Sequence, residues 1–195
     1  MFNPDGLKQI TETVALNYLA SKIPLDSLQS LNEPIEMYNI NAKDAPPEGL
    51  GKAKSEIQKD TGWPDSILDN VRSEDEAQIY KDANLSIESV GGKDCLIRTD
   101  IDYDQVVDGE TNLERMKRGK APITKDGQLV ELHHIGQKSD SPFAELTPSE
   151  HRGPGNDMIL HDKTRESEID RYAFRIERET YWKNRAAIIV NSNNG

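Results

Sequence analysis

Cysteine is almost absent from this chain of 195 residues, which contains only Cys95. A single cysteine cannot form an internal disulfide or build a zinc site of several thiolates. No run of about 18 apolar residues occurs, so we expect no transmembrane helix. The first residues, MFNPDGLKQITET, show no charged segment followed by an apolar one, so we expect no conventional signal peptide. Because the chain has only one cysteine, we expect any metal site to use nitrogen and oxygen ligands.

Basic residues are outnumbered by acidic ones, 24 to 35, and the formal net charge is −11. Because phosphate groups bind to Lys and Arg, this total argues against a nucleic-acid partner. The distribution of charge changes that conclusion. Residues 61–110 carry thirteen acidic and four basic side chains, whereas residues 111–195 carry thirteen acidic and fourteen basic ones. The acidic part is most simply a solvated surface, or it limits nonspecific nucleic-acid binding or docks on a partner.

The N-terminal quarter of the chain differs in pattern from the rest. Apolar residues at near-helical spacing predict a helix over residues 7–23. Residues 41–55 are rich in Pro, Gly and Lys, which indicates a linker or domain boundary. We therefore assign residues 1–54 to an N-terminal helical and linker segment of unknown role, and residues 55–195 to one domain.

Local signals over residues 129–152 predict the order strand, loop, strand, helix. An Asp-Gly turn leads into the strand that contains ELHH, and FAEL is a second short strand. The helix begins with a capping box, with Thr147 as N-cap, Pro148 at the first helical position and Glu150 three residues after the cap. A long charged helix is predicted over residues 165–187, with an apolar stripe marked by Ile169, Tyr172 and Ile176. The fold class is therefore α+β, with a small antiparallel hairpin packed among helices.

All four histidines of the chain lie between positions 133 and 161. Imidazole binds transition metals and also takes up a proton near neutral pH. His133 and His134 are neighbours on a predicted strand, so their side chains point to opposite faces. One can face a metal while the other faces a substrate. Four histidines can supply about three ligands and one base, which is what a hydrolytic metal site needs.

The segments LHHIGQ, SPFAEL, SEHRG and ILHDK, in this order, resemble the LHH nuclease family of the HNH/endonuclease VII superfamily. Domains of that family form the toxic C-terminal ends of bacterial polymorphic toxins. Upstream segments such as TNLERMKRGKAPI are similar to it as well, so the resemblance covers roughly residues 57–187. It implies a ββα-metal (HNH/His-Me finger) fold, which is a hairpin-plus-helix core embedded among helices. It also implies an enzyme that cleaves phosphodiester bonds with one divalent ion.

Roles for single residues follow from the resemblance. It implies that His134 is the general base, His133 and His151 are metal ligands, and His161 is the third ligand or contacts the scissile phosphate. Asn156 is the candidate for orienting the base, with Gln137 as the alternative, since no Asn lies in the hairpin loop. Mg²⁺, Mn²⁺, Zn²⁺ and Ni²⁺ all remain candidates for the metal.

Basic residues near the motif are candidates for substrate binding. Arg152 directly follows His151 and would stabilise negative charge on a phosphate. Arg118 and Lys120 belong to a basic patch just before the motif, which suits the tracking of a nucleic-acid backbone. The alternative is that this patch is the solvated end of a helix, where the helix dipole favours cations.

Two functions of different classes fit these observations. The first, implied by the resemblance, is a metal-dependent endonuclease toxin of interbacterial competition. It would act on DNA, with RNA as the alternative, after delivery by a specialised system into the target-cell cytoplasm, and its producer would hold a cognate immunity protein. The second is a noncatalytic protein-interaction module stabilised by zinc on His133, His151 and His161. Structural zinc usually has four protein ligands, and its removal unfolds the domain.

Overall fold

The computed structural model of the chain describes residues 50–164 and 166–192. The helix predicted over residues 7–23 lies outside them. Leu50 is buried in a hydrophobic cluster, and helix α1 spans Lys54–Thr61. The described end of the predicted linker is therefore folded against the domain. The boundary between residues 54 and 55 stays a prediction.

Two short helices precede a four-stranded sheet, α2 (Asp65–Leu68) and α3 (Glu74–Asp82). The Ser73 side chain caps α3 by accepting a hydrogen bond of 3.1 Å from the backbone N–H of Glu76. The strands of the described residues are β1 (Ser86–Val90), β2 (Lys93–Ile97), β3 (Val106–Val107), β4 (Glu110–Thr111), β5 (Glu131–His134) and β6 (Phe143–Leu146). The sheet order is β1-β2-β6-β5, with β2 parallel to β6 and the other neighbours antiparallel, while β3 and β4 form a separate ribbon.

The β5-β6 hairpin runs directly into helix α5. Helix α4 (Asn112–Lys117) precedes the hairpin, and α5 (Pro148–Arg152) and α6 (Asn156–Leu160) follow it. Both arms of the capping box at α5 are formed, because Thr147 Oγ1 accepts from Glu150 N at 3.2 Å and Thr147 N donates to Glu150 Oε2 at 2.7 Å. The predicted order strand, loop, strand, helix and the mixed α+β fold are confirmed.

Gly136 allows the chain to leave β5 sharply. Its φ is +69°, and a Cβ at this position would lie 2.0 Å from the carbonyl oxygen of Asn70. Its backbone N–H donates to the buried Glu76 carboxylate at 2.9 Å. Glycine is therefore required by both conformation and space, and the turn after the histidine pair is tied to α3.

The sheet separates two hydrophobic clusters, one on each face. Alternation assigns Leu96 and Ala144 to the first cluster and Ile97 and Phe143 to the second. Helix α7 (Arg171–Ser192) covers the second face with side chains from its C-terminal half. Those buried side chains are Tyr181, Trp182, Arg185, Ala186 and Ile189. No helix within residues 50–164 and 166–192 is long and apolar enough to cross a membrane.

The apolar stripe predicted for the long helix is wrong. Tyr172 is 68% exposed and Ile176 is 47% exposed, and α7 begins at Arg171 behind Asp170. The Asp170 side chain accepts a hydrogen bond from Ala173 N at 2.7 Å, which marks the helix start. The reason for the error is that the packing surface of the sheet meets the second half of α7. The first half has few buried positions, whatever its apolar pattern.

Candidate metal centre

Three elements bring three histidines to one point, and we call His133, His151 and His161 the histidine triad. His133 lies on β5, His151 on the capped helix α5, and His161 immediately after α6. The ring centroids of His133 are 4.8 Å from His151 and 5.2 Å from His161. The hairpin, the capping box and the turn into α6 therefore position one histidine of the triad each.

The nitrogen atoms of the triad are spaced as ligands of one ion would be. His151 Nε2 lies 3.1 Å from His133 Nδ1 and 3.2 Å from His161 Nε2. Three ligand atoms, one from each ring, lie within 4.8 Å of one another. Nitrogens that each lie about 2.0–2.1 Å from one zinc ion are separated by roughly 3.3 Å in a tetrahedral site. The two distances from His151 Nε2 match this separation, so the triad could hold one divalent ion.

Carboxylates hold the far sides of two of these rings. His151 Nδ1 lies 2.8 Å from Glu131 Oε2, and His161 Nδ1 lies 3.0 Å from Asp157 Oδ1. A carboxylate hydrogen-bonded to the outer nitrogen of a metal-binding histidine fixes its tautomer and orientation. His133 differs, since its Nε2 is buried and has no hydrogen-bond partner within the described residues.

The hydrogen-bond pattern also favours a cation at the triad. A carboxylate only accepts hydrogen bonds, so the Nδ1 atoms of His151 and His161 are assigned as the donors to Glu131 and Asp157. With one proton per ring, the Nε2 atoms are unprotonated. Each Nε2 then carries a lone pair, and the two Nε2 atoms face each other at 3.2 Å. Two facing lone pairs repel unless a positive charge lies between them. A bound metal ion removes this repulsion.

Burial favours the neutral form of two of the triad rings, His133 and His151. It lowers the pKa of His133 well below the usual range, and the charged forms of His151 and His161 lower it further. Burial also lowers the pKa of His151, although its hydrogen bond to Glu131 acts in the opposite direction. Neutral imidazoles do not have to release a proton before they bind a metal.

His134 faces the opposite side of β5 from the triad. Its ring centroid lies 4.5 Å from that of Phe143 and 4.6 Å from that of Phe174, both on the second hydrophobic face. His134 Nε2 lies 3.3 Å from Glu177 Oε2 on α7, which is an ion-pair distance without the geometry of a hydrogen bond. Burial lowers the pKa of His134, and Glu177 opposes that shift. The predicted opposite orientation of the adjacent histidines is therefore what the structure shows.

The two candidates for orienting His134 make other contacts. Asn156 donates its side-chain amide to the carbonyl oxygen of Glu150 at 2.8 Å, which ties α6 to α5. Gln137 Oε1 accepts from Arg72 Nη1 at 3.1 Å and from the backbone N–H of Asp162 at 2.5 Å. Within the described residues neither set of hydrogen bonds includes His134. The orienting role of Asn156 stays a prediction.

The candidate substrate-binding residues all form ion pairs. Arg152 pairs with Glu131 and so lies at the edge of the triad. Arg118 and Lys120 both pair with Glu110, and the Lys120–Glu110 distance is 3.0 Å. These contacts bring Arg152 to the triad and place Arg118 and Lys120 beside β4.

Three acidic residues of the site were missed by the sequence reasoning. Glu131 and His133 are two positions apart on a strand, and Asp157 and His161 are four apart across α6, so both relationships could have been read from spacing. Glu177 meets His134 from 43 positions further along the chain. No local signal predicts that contact.

Residues 111–187 match the family model of LHH, described as a nuclease of the HNH/ENDO VII superfamily with a conserved LHH. The matched segment contains α4, the hairpin, the whole triad and most of α7. The family identified from LHHIGQ and the segments after it is thereby confirmed. No solved structure matches the chain.

Proposed function

We propose that this chain, whose residues 111–187 belong to the LHH nuclease family, is an endonuclease that hydrolyses phosphodiester bonds in DNA. The observation that carries the proposal is the convergence of three imidazoles at one point. A hydrolytic metal site has about three protein ligands, whereas structural zinc usually has four. Within residues 50–164 and 166–192 the candidate metal group has three members, which favours the hydrolytic reading over the zinc-stabilised module.

A divalent ion bound to the triad would stabilise the negative charge that develops on the phosphoryl group. The chain itself would hold the three donor nitrogens in place. Glu131 and Asp157 restrain the rings of His151 and His161 from rotating. Arg152 shares Glu131 with His151, so it can turn from that carboxylate toward a phosphate at the edge of the triad.

His134 is the proposed general base. It is the last residue of β5, directly after the proposed ligand His133, and its ring lies on the opposite face of the strand, toward α7. A general base must be neutral before it accepts a proton, and burial favours the neutral form of His134. If Nε2 carries its proton toward Glu177, then Nδ1 is free to accept the proton of an attacking water.

Plasmid cleavage by the purified full chain tests the proposal. The assay compares Mg²⁺, Mn²⁺, Zn²⁺, Ni²⁺ and EDTA, with His134→Ala and His151→Ala beside the wild type. We expect metal-dependent cutting that both variants lose while their circular dichroism spectra stay native. If neither DNA nor RNA is cut with any metal, and EDTA unfolds the protein, the zinc-stabilised interaction module is the correct function.

We also propose, on the family resemblance, that the nuclease is a toxin of interbacterial competition. It would be delivered into the target-cell cytoplasm and neutralised in its producer by an immunity protein. Induced expression in a bacterial host should stop growth with the wild type and not with His134→Ala. Normal growth with a protein that cuts plasmid in vitro would argue against the toxin role.

A further inference from the structure

Three arginines form an exposed stripe on the first half of α7, and we call Arg171, Arg175 and Arg178 the arginine stripe. Their spacing of four and then three positions places them on one helix face, along about 10 Å of the axis. All three are exposed. They lie in a protein with a net charge of −11, in which an unneutralised group of three cations is unexpected.

Unlike most other arginines of the described residues, those of the arginine stripe have no carboxylate partner. Most of the others are committed to acids. Those pairs are Arg72 with Glu76, Arg98 with Asp100 and Glu150, Arg118 with Glu110, Arg152 with Glu131, and Arg185 with Glu145. No such pair within residues 50–164 and 166–192 involves Arg171, Arg175 or Arg178. Their guanidinium groups are therefore available to an external anion.

Aromatic rings hold two of these guanidinium groups in place. The Arg175 guanidinium carbon lies 5.3 Å from the centroid of the Tyr172 ring, and that of Arg178 lies 5.0 Å from the Phe174 ring. A guanidinium over a ring face keeps its N–H edges directed outward, where they match phosphate oxygens in pairs. Positioning before binding reduces the entropy that binding loses.

The position of the stripe links it to the proposed general base. On the first half of α7, Phe174 and Glu177 are the positions turned inward, and both contact His134. At about 100° per residue, the stripe lies on the flank next to Phe174. Beyond its C-terminal end, Glu179 packs against Gly119, which lies between Arg118 and Lys120. The stripe thus runs from beside His134 toward the basic residues after α4.

We propose that the arginine stripe binds the sugar-phosphate backbone of the nucleic-acid strand and guides it past His134. The proposal rests on the nuclease function argued above. It adds a second contact surface, on the face of β5 that His134 occupies, separate from the triad. Recognition would be electrostatic and independent of base sequence, since arginine–phosphate contacts carry no base information.

The test is binding of the full chain, in EDTA, to a fluorescent 20-nucleotide DNA as a single strand and as a duplex. The variant R171Q/R175Q/R178Q is compared with K52Q/K59Q/K125Q, which removes three exposed charges from other elements. We expect the stripe variant to bind about tenfold or more weakly, and its slope of log K against log salt to fall by about 2–3. The lysine variant should bind like the wild type. In a metal-containing cleavage assay the stripe variant should show a raised KM with kcat retained.

The two proposals fail in different ways. Equal binding by the stripe and lysine variants would overturn the stripe, because affinity would then follow net charge and not position. A wild-type protein that binds neither single strand nor duplex would also overturn it. Stripe-dependent binding by a protein that cuts nothing with any metal would support the stripe and reject the nuclease function.

Discussion

Glu131 Oε2 lies 2.8 Å from Nδ1 of His151, although the two residues belong to different elements, β5 and α5. Glu131 stands two positions before His133, so both project from the same face of β5. One strand therefore supplies a histidine of the triad and also the carboxylate that orients the triad histidine on the helix. Movement of α5 relative to the hairpin would disturb two of the three donors together.

Glu131→Gln should weaken metal binding by about 10- to 100-fold without removing a ligand, because it removes the carboxylate that orients His151. Isothermal titration with Zn²⁺ or Mn²⁺ measures the affinity. Glu110→Gln is the matched control. Glu110 also pairs with basic residues, but those are Arg118 and Lys120 and not a histidine of the triad. The same affinity in both variants would show that Glu131 does not support the metal centre.

Stability of the metal-free protein should fall as the pH drops below about 6.5. The pKa of folded His133 lies well below the usual 6.5, mainly because of burial, so below that pH the unfolded chain binds a proton that the folded chain excludes. The free energy of unfolding should therefore be nearly constant from pH 7.5 to about 6.5 and decrease toward pH 5.5. Urea titrations at several pH values measure it. His133→Asn should show a smaller slope, and an unchanged slope would contradict the assignment.

Short-range signals in the sequence predicted the parts of the site that are built locally. The capping box of Thr147 and Glu150 and the hairpin strands depend on residues a few positions apart, and they form as expected. The histidine triad was predicted from clustering and family resemblance, and the structure brings its members together.

The features of the fold and the site that the sequence did not predict depend on contacts between distant segments. Amphipathic spacing shows which residues of a helix share a face, but not which half of that helix meets the sheet. For this reason Tyr172 and Ile176 were expected to be buried and are exposed. The approach of Glu177 to His134 depends in the same way on where α7 crosses β5.

Glu177→Gln should lower kcat for plasmid cleavage by about tenfold or more with little change in KM. The reason is that Glu177, 3.3 Å from His134 Nε2, holds the proposed base in position without touching the substrate. Glu177→Asp should recover part of the activity, which a purely structural loss would not allow. Asn156→Ala tests the competing prediction that Asn156 orients the base. Glu179→Gln, an exposed α7 carboxylate, is the control for charge.

A normal kcat in Glu177→Gln together with a reduced kcat in Asn156→Ala would assign the orienting role to Asn156. Circular dichroism of each variant is needed for this comparison, because Asn156 also ties α6 to α5 through Glu150.

Arg185→Met should be the most destabilising of these substitutions, by about 3–5 kcal/mol, because it leaves the buried Glu145 carboxylate without its cation. Glu145 also accepts hydrogen bonds from Tyr181 and from the backbone N–H of Arg98, but neither supplies a positive charge. Burial already raises the pKa of Glu145, so loss of Arg185 should raise it further, and the variant should recover part of its stability as Glu145 becomes protonated at lower pH. Urea unfolding at pH 7.5 and 5.5 measures both effects.

Arg118→Met is the control. It removes an ion pair that is exposed on the arginine side, and it should change stability by no more than about 1 kcal/mol. Equal losses in the two variants would show that Glu145 does not depend on Arg185. Partial rescue by Glu145→Gln in the Arg185→Met background would confirm that the unpaired charge, and not the lost side-chain volume, causes the instability.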